Sequence, residues 1–256
     1  MNQKHTPNSL AGYARAAVEL LRNRGPRALL LRGTELGYNH VLRPLLPVRE
    51  RPNMPTMEVA RAPYRLGDGS VPWTPPSKFP PEQEQGLRKG LTYTVTEGDD
   101  VVIVGGGAGI STTVAAKLAG ETGTVTVFEA TEKNCCAVEQ TAVENDIADR
   151  VTVTHAVVAE YTDHARESYG PVGSAPVIPI KDLPAADVLE LDCEGTEIKI
   201  LRSLDTLPPV AVVETHGYLG YPTEKTASLL KERGYKILAR YSENESLGVD
   251  VMVAER

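Results

Sequence analysis

Asp100-Val-Val-Ile-Val-Gly-Gly-Gly-Ala-Gly-Ile-Ser-Thr-Thr-Val114 is the stretch around which the rest of the chain is arranged. The β-branched run Val101 to Val104 reads as a buried strand. The glycines from Gly105 to Gly109 then make a tight turn, and Ile110, Val114 and Leu118 recur at helical spacing. Strand, glycine turn and helix in that order form a nucleotide cradle. Glycines let backbone approach a ligand closely, and the helix start offers unpaired N–H groups to a carboxylate or phosphate.

The spacing narrows the ligand. A dinucleotide fingerprint needs G-x-G-x-x-G, but here Ile110 stands where the third glycine belongs, and the match is Gly105-x-Gly107-x-Gly109. That pattern suits S-adenosylmethionine better than NAD or FAD. A second strand, Thr124 to Phe128, ends at Glu129, which lies 24 residues beyond Gly105. An acid at that distance, at the end of the second strand, can accept hydrogen bonds from ribose hydroxyls.

At 256 residues the chain has room for one large α/β domain with an appendage. Its charge is uneven. The first 51 residues carry nine Lys or Arg against three Asp or Glu, whereas the whole chain is net −7. An acidic body argues against nucleic acid as partner. The basic arm is open to two readings, contact with an anionic membrane surface or merely solvated helix faces. Three cysteines, Cys135, Cys136 and Cys193, form neither a disulfide framework nor a zinc spacing, and no apolar run approaches a membrane span. The expectation is a cytoplasmic protein, peripheral to the membrane at most.

Ser9 caps a candidate helix carrying Leu10, Tyr13, Ala17, Leu20 and Leu21, and a second covers Ala28 to Leu36. Periodicity does not decide whether they pack on the core, on a second copy or on a membrane; the oligomeric state stays open. Prolines accumulate from Arg43 to Pro81, so residues 1–81 read as a helical arm and proline-rich connector, with Trp73 and Phe79 as anchors or as a substrate wall.

Residues 82–256 read as the catalytic domain. A short helix after Glu82 precedes the glycine unit. Lys133 to Asn145 follows as a helix with Cys135, Val138 and Ala142 inward, then a third strand at Val151 to Val153 with an exit at Ala156 to Val158. Asp187 to Asp192 and Val210 to Val213 are the fourth and fifth strands. Thr223 to Arg233 is a helix closed by Gly234, and Lys236 to Ala239 pairs antiparallel with Val249 to Val253 across a Ser242 to Ser246 loop. Strands alternating with helices imply a mostly parallel sheet covered on both faces.

The segment Asp192-Cys-Glu194-Gly195-Thr-Glu197 resembles the D-x-E-G-x-E motif of the FkbM family of S-adenosylmethionine-dependent methyltransferases. The resemblance extends to the V-G-x-x-x-G turn at Val104 to Gly109, to Glu214-x-His216 and to Gly234-Tyr235, and covers about residues 82 to 254. It implies a seven-stranded, Rossmann-like class I methyltransferase sheet with its last strand antiparallel. It also implies O-methylation of a hydroxyl on a sugar, glycolipid, lipid-linked or secondary-metabolite acceptor. Family members usually carry an Asp two positions before the first glycine. Here that position is Ile103, so the polar tie to the cofactor's methionine end is missing or comes from another residue.

Ligands of open α/β sheets bind beyond the carboxyl ends of the strands, where Gly105, Gly107, Gly109, Glu129, Ala156, Asp192 and His216 should converge. Methyl transfer to a neutral hydroxyl gains from a base, and His216 is the residue matched to that work near neutral pH, with Asp192 and Glu194 positioning the acceptor. Glu194 and Glu197 serve equally well as helix caps. The carboxylates with one histidine can hold a divalent ion, but nothing in their spacing fixes a metal site, and none is assigned. Two other readings compete: a nicotinamide- or flavin-dependent oxidoreductase, favoured by the apolar strand before the glycines, and a non-catalytic nucleotide-binding module, suggested by Ile103.

Overall fold

The structure is a computed structural model that describes Glu58–Val59, Ser77–Lys78 and residues 84–256. The helices expected before residue 40, the basic arm and the anchors Trp73 and Phe79 lie outside the described residues. Within the proline-rich connector, Glu58–Val59 and Ser77–Lys78 pair antiparallel.

The described chain runs α1 (Gln85–Thr94), β1 (Asp100–Val104), α2 (Ile110–Ala119), β2 (Thr124–Glu129), α3 (Glu132–Glu144), β3 (Val151–His155), α4 (Asp163–Tyr169), β4 (Val188–Leu191), α5 (Glu197–Ser203), β5 (Val210–His216), α6 (Thr223–Glu232), β6 (Lys236–Asn244) and β7 (Val249–Glu255). The seven strands form one sheet in the order β3-β2-β1-β4-β5-β7-β6. Strands β1 to β5 are parallel to their neighbours, and β7 is antiparallel to both β5 and β6. This is the sheet with one reversed strand that the sequence implied.

Alternation along each strand sends side chains into two separate cores. Val101, Ile103, Val125, Val127, Val188 and Val212 face α1, α2 and α3. Val102, Val104, Leu189, Leu191 and Val213 face α5 and α6. A strand buried on both faces must be apolar throughout, which is why β1 reads as a continuous run. Helix α3 buries Cys135, Val138 and Ala142 as expected, with Cys136 beside them. All three cysteines are free thiols. Helix α1 is held against β6 at its first turn, where the N–H groups of Gln85 and Gly86 donate to the Glu243 carboxylate.

Three expectations change in detail. The exit at Ala156 to Val158 is no continuation of β3: Val157–Val158 turns away and pairs in parallel with Val177–Ile178. β6 runs five residues past Ala239, so a short 3-10 turn at Glu245–Leu247 makes the hairpin. β5 extends through His216, because β7 supplies a hydrogen-bonding partner along its whole length. Among the described residues no helix is long and apolar enough to cross a membrane.

Candidate functional site

The glycine turn leaves β1 with Gly105, Gly107 and Gly109 all at positive φ, but the three serve different ends. A side chain at Gly105 would collide with the backbone of Asp192, so this glycine lets β1 and β4 meet at their ends. One at Gly109 would press on Thr141 and Val138, so this glycine seats α2 on α3. Only at Gly107 is the space beyond the backbone open, which is what a ligand-facing position requires.

That open space belongs to a cleft at the carboxyl ends of β1, β2 and β4. Gly105, Gly107, Glu129, Ala156, Asp192 and Glu194 all line it, together with Phe128 and Tyr169. Gly109 and His216 stand outside the lining.

Glu129 closes the turn from the other side. Its Oε2 accepts the N–H of Gly107 at 3.1 Å, and its Oε1 accepts the N–H of Thr131 at 2.9 Å and the side chain of Asn134 at 3.4 Å. Burial raises its pKa, while these donors pull the other way. The N–H of Ser111 in the first turn of α2, where the sequence suggested a ligand anion, is met by the carboxyl of Glu84.

At the end of β4 the chain turns sharply. Glu194 lies at φ 53 and Gly195 at φ 105 before α5 begins. A non-glycine residue in the left-handed region stores strain of the kind that accumulates at functional sites. The turn sends the two glutamates of the motif in different directions. Glu197 reaches back to accept the N–H groups of Cys193 and Gly195, both near 3.1 Å, so it is the capping residue. Glu194 turns outward and accepts the hydroxyls of Tyr169 at 2.8 Å and Tyr218 at 3.0 Å. Tyr218 also lies 3.1 Å from His164 Nε2. Tyr169, Tyr218 and His164 come from α4 and the turn after β5, segments without a motif, and no sequence signal marked them.

His216 is the meeting point of four carboxylates. Its Nδ1 lies 3.1 Å from Glu197 Oε1; its Nε2 lies 3.5 Å from Asp192 Oδ1, 3.4 Å from Glu194 Oε2 and 3.6 Å from Glu214 Oε1. Burial opposes its charge, but the bond to Glu197 and the charges of Asp192, Glu197 and Glu194 prevail, and its pKa rises to about 9. Burial and, for Glu214, the charge of Asp192 push the Asp192 and Glu214 carboxyls upward. The upward shift of His216 favours its imidazolium form, and the residue lies outside the cleft lining.

Below the cleft, Glu190 is the register partner of Ile103 on the neighbouring strand. The acid missing at position 103 therefore has a counterpart one strand over, on the same face. Glu190 is fully buried with the Ser111 side chain beside it, and burial drives its pKa well above the ordinary range although Ser111 pulls the other way.

Neither a protein-family model nor a curated protein matches the chain. Solved structures similar to it include an S-adenosylmethionine-dependent O-methyltransferase from Thermotoga maritima, with 19% identity over 70% of this chain and 66% of that one and a TM-score of 0.43. They also include a precorrin-6y C5,15-methyltransferase from Geobacter metallireducens, with 14% identity over 68% and 89% and a TM-score of 0.45. A third is an S-adenosylmethionine-dependent methyltransferase from Aquifex aeolicus, with 15% identity over 68% and 90% and a TM-score of 0.42. Likenesses this remote carry no argument about substrate or mechanism, which rest on the residues themselves.

Proposed function

We propose that residues 82–256 form an S-adenosylmethionine-dependent methyltransferase that transfers the methyl group to a hydroxyl of a small-molecule or glycan- or lipid-linked acceptor, as the FkbM-like motif implies. The observation that carries this reading is the pairing of Gly107, open toward the cleft, with Glu129, whose carboxylate anchors the same turn. Glu129 would accept the ribose hydroxyls, Ala156 and Phe128 would flank the base, and Asp192 would stand at the methyl-donating end.

Asp192 and Glu194 stand where the acceptor oxygen must lie for in-line attack. Their task is to accept the hydroxyl's hydrogen bond and fix it about 3–3.5 Å from the methyl carbon, where positioning supplies much of the rate. The proton released as the C–O bond forms passes to this carboxylate set.

Titration calorimetry tests the reading. S-adenosylmethionine and its demethylated product should bind with micromolar affinity, about −8 kcal/mol, and NAD and FAD should not. The reverse preference would support the oxidoreductase instead.

A further inference from the structure

We propose that Asp192, Glu214 and His216 form a binding site for a divalent first-row metal ion, placed to hold the acceptor oxygen beside the methyl donor. The carboxylates and imidazole offer ligand atoms that all lie within 4.8 Å of one another. The proposal rests on the methyltransferase reading for the ion's role, but not for its binding.

The sheet creates the cluster. Leu191 on β4 is the register partner of Val213 on β5, so Asp192 and Glu214 are the next residues along on adjacent strands. Glu214 and His216 are two residues apart on one strand and therefore share a face. Sequence spacing alone hides this, because Asp192 reaches the other two across a strand pair.

The geometry of the imidazole points to an ion. A metal-ligating histidine typically gives its other ring nitrogen to a carboxylate, which fixes the tautomer and aims the free lone pair at the metal. His216 approaches this arrangement: its side chain is 3% exposed, and Nδ1 lies 3.1 Å from Glu197 Oε1, off hydrogen-bonding alignment, while Glu197 is itself anchored by two backbone N–H groups. Nε2 faces Asp192 and Glu214 at 3.5 and 3.6 Å, beyond the usual N–H···O range of about 2.7–3.2 Å. Among the described residues no hydrogen bond holds the carboxylate of either Asp192 or Glu214. Donors about 2.1 Å from a common ion stand roughly 3 Å apart, so the three groups draw together from their present spacing when they bind one ion.

Glu194 is the fourth carboxylate at the hollow, but two tyrosine hydroxyls already occupy it. An imidazole in the set favours manganese, iron or zinc over magnesium, which prefers an all-oxygen shell. The ion replaces any proton on Nε2. Asp192 also lines the cleft, so a coordination position left open there faces the acceptor, whose hydroxyl becomes more acidic on binding the ion.

The test uses the full chain, treated with chelator and titrated with Mn2+ in the absence of S-adenosylmethionine, with free Mn2+ followed by electron paramagnetic resonance. One ion per chain should bind, and pulsed measurements should show nitrogen modulation from a single imidazole. Glu214→Gln and Asp192→Asn should each weaken binding more than tenfold, and Glu197→Gln by about 10–100-fold through loss of the orienting carboxylate. Glu224→Gln, on the surface, should bind like wild type, and circular dichroism checks that each variant is folded.

Absence of stoichiometric binding, absence of the nitrogen signal, or folded Glu214→Gln and Asp192→Asn variants with unchanged affinity would overturn the site. A protein that binds no Mn2+ but loses S-adenosylmethionine affinity in Glu214→Gln would make the hollow a seat for the cofactor's ammonium group, and would also overturn it. Calorimetry of the metal-free protein reports on the cofactor separately, so the two readings fail independently.

Discussion

A Cβ atom on Gly105 would overlap the carbonyl oxygen of Asp192. The first glycine of the turn and the first acid of the D-x-E-G-x-E segment are thus in backbone contact, and the closeness of β1 and β4 at their ends depends on the absence of a side chain. The open space at Gly107 makes its role separable from that of Gly105. Gly105→Ala should cost about 2–4 kcal/mol of stability, through overlap and strain at positive φ. Gly107→Val should leave the fold largely intact and weaken S-adenosylmethionine binding. Urea melts and calorimetry on both variants check this; a badly destabilised Gly107→Val would place that glycine in packing instead.

Glu129→Ala removes both the proposed ribose acceptor and the partner of the Gly107 N–H. We expect cofactor affinity to fall by tenfold or more, about 1.4 kcal/mol, with a smaller loss of stability from the freed turn. Glu129→Gln keeps an acceptor oxygen and should recover part of each. Equal affinity in wild type and both variants would move the ribose elsewhere in the cleft.

Glu190 is a fully buried carboxyl with Ser111 beside it and the Glu84 and Asp192 carboxylates nearby, and a poorly satisfied buried polar group costs about 1–3 kcal/mol. Glu190→Met fills the same volume without that cost, so its melting temperature should exceed that of wild type. If Glu190 also supplies the polar tie absent at Ile103, the stabler variant will bind S-adenosylmethionine more weakly. A less stable Glu190→Met would mean that the carboxyl has a partner, such as bound water, that sustains it.

On the opposite face of β5 and β7, Asp250 accepts Thr223 Oγ1 at 2.6 Å and Arg240 Nη2 at 2.7 Å. Burial alone would raise its pKa, but the Thr223 hydroxyl and Arg240 guanidinium hold it below the usual carboxylate value. A depressed acid stabilises the fold above its unfolded-state pKa, and that contribution disappears as pH falls through the folded value. Asp250→Asn should therefore be less stable than wild type at pH 7, and the gap should narrow as pH falls below about 4. Urea titrations from pH 7 to about 2.5 measure it. A gap that stays constant with pH would rule out ionisation as its source.

Much of the sheet was legible because β1, β2, β4 and β5 are apolar runs ending in glycine or acid, a pattern that two-sided burial enforces. The cleft lining on β1 and β2 was legible for the same reason: Gly105, Gly107 and Glu129 sit at fixed offsets from strand ends. The cluster at the ends of β4 and β5 was less so. Glu214 and His216 could be seen as a pair, but their approach to Asp192 depends on strand register, which spacing does not encode. His216's charge depends on Glu197 and three other carboxylates around it, and Tyr169, Tyr218 and His164 are gathered by loop geometry. The buried carboxyl of Glu190 was hidden because Val188-Leu-Glu-Leu191 reads as an ordinary strand with one polar position.

The reversed strand also sets an order on biosynthesis. β7 lies between β5 and β6, with Val249 opposite His216 and Val251 opposite Glu214. While the ribosome is still short of residue 249, β5 is an unpaired sheet edge and β6 has no neighbour to join. The cleft lining carried by β1 and β2 can assemble during translation, whereas the carboxylate cluster around His216 must wait for the hairpin to close. A nascent chain halted in that interval exposes an apolar edge of the kind that templates aggregation, which makes this the stage at which a chaperone has most to protect.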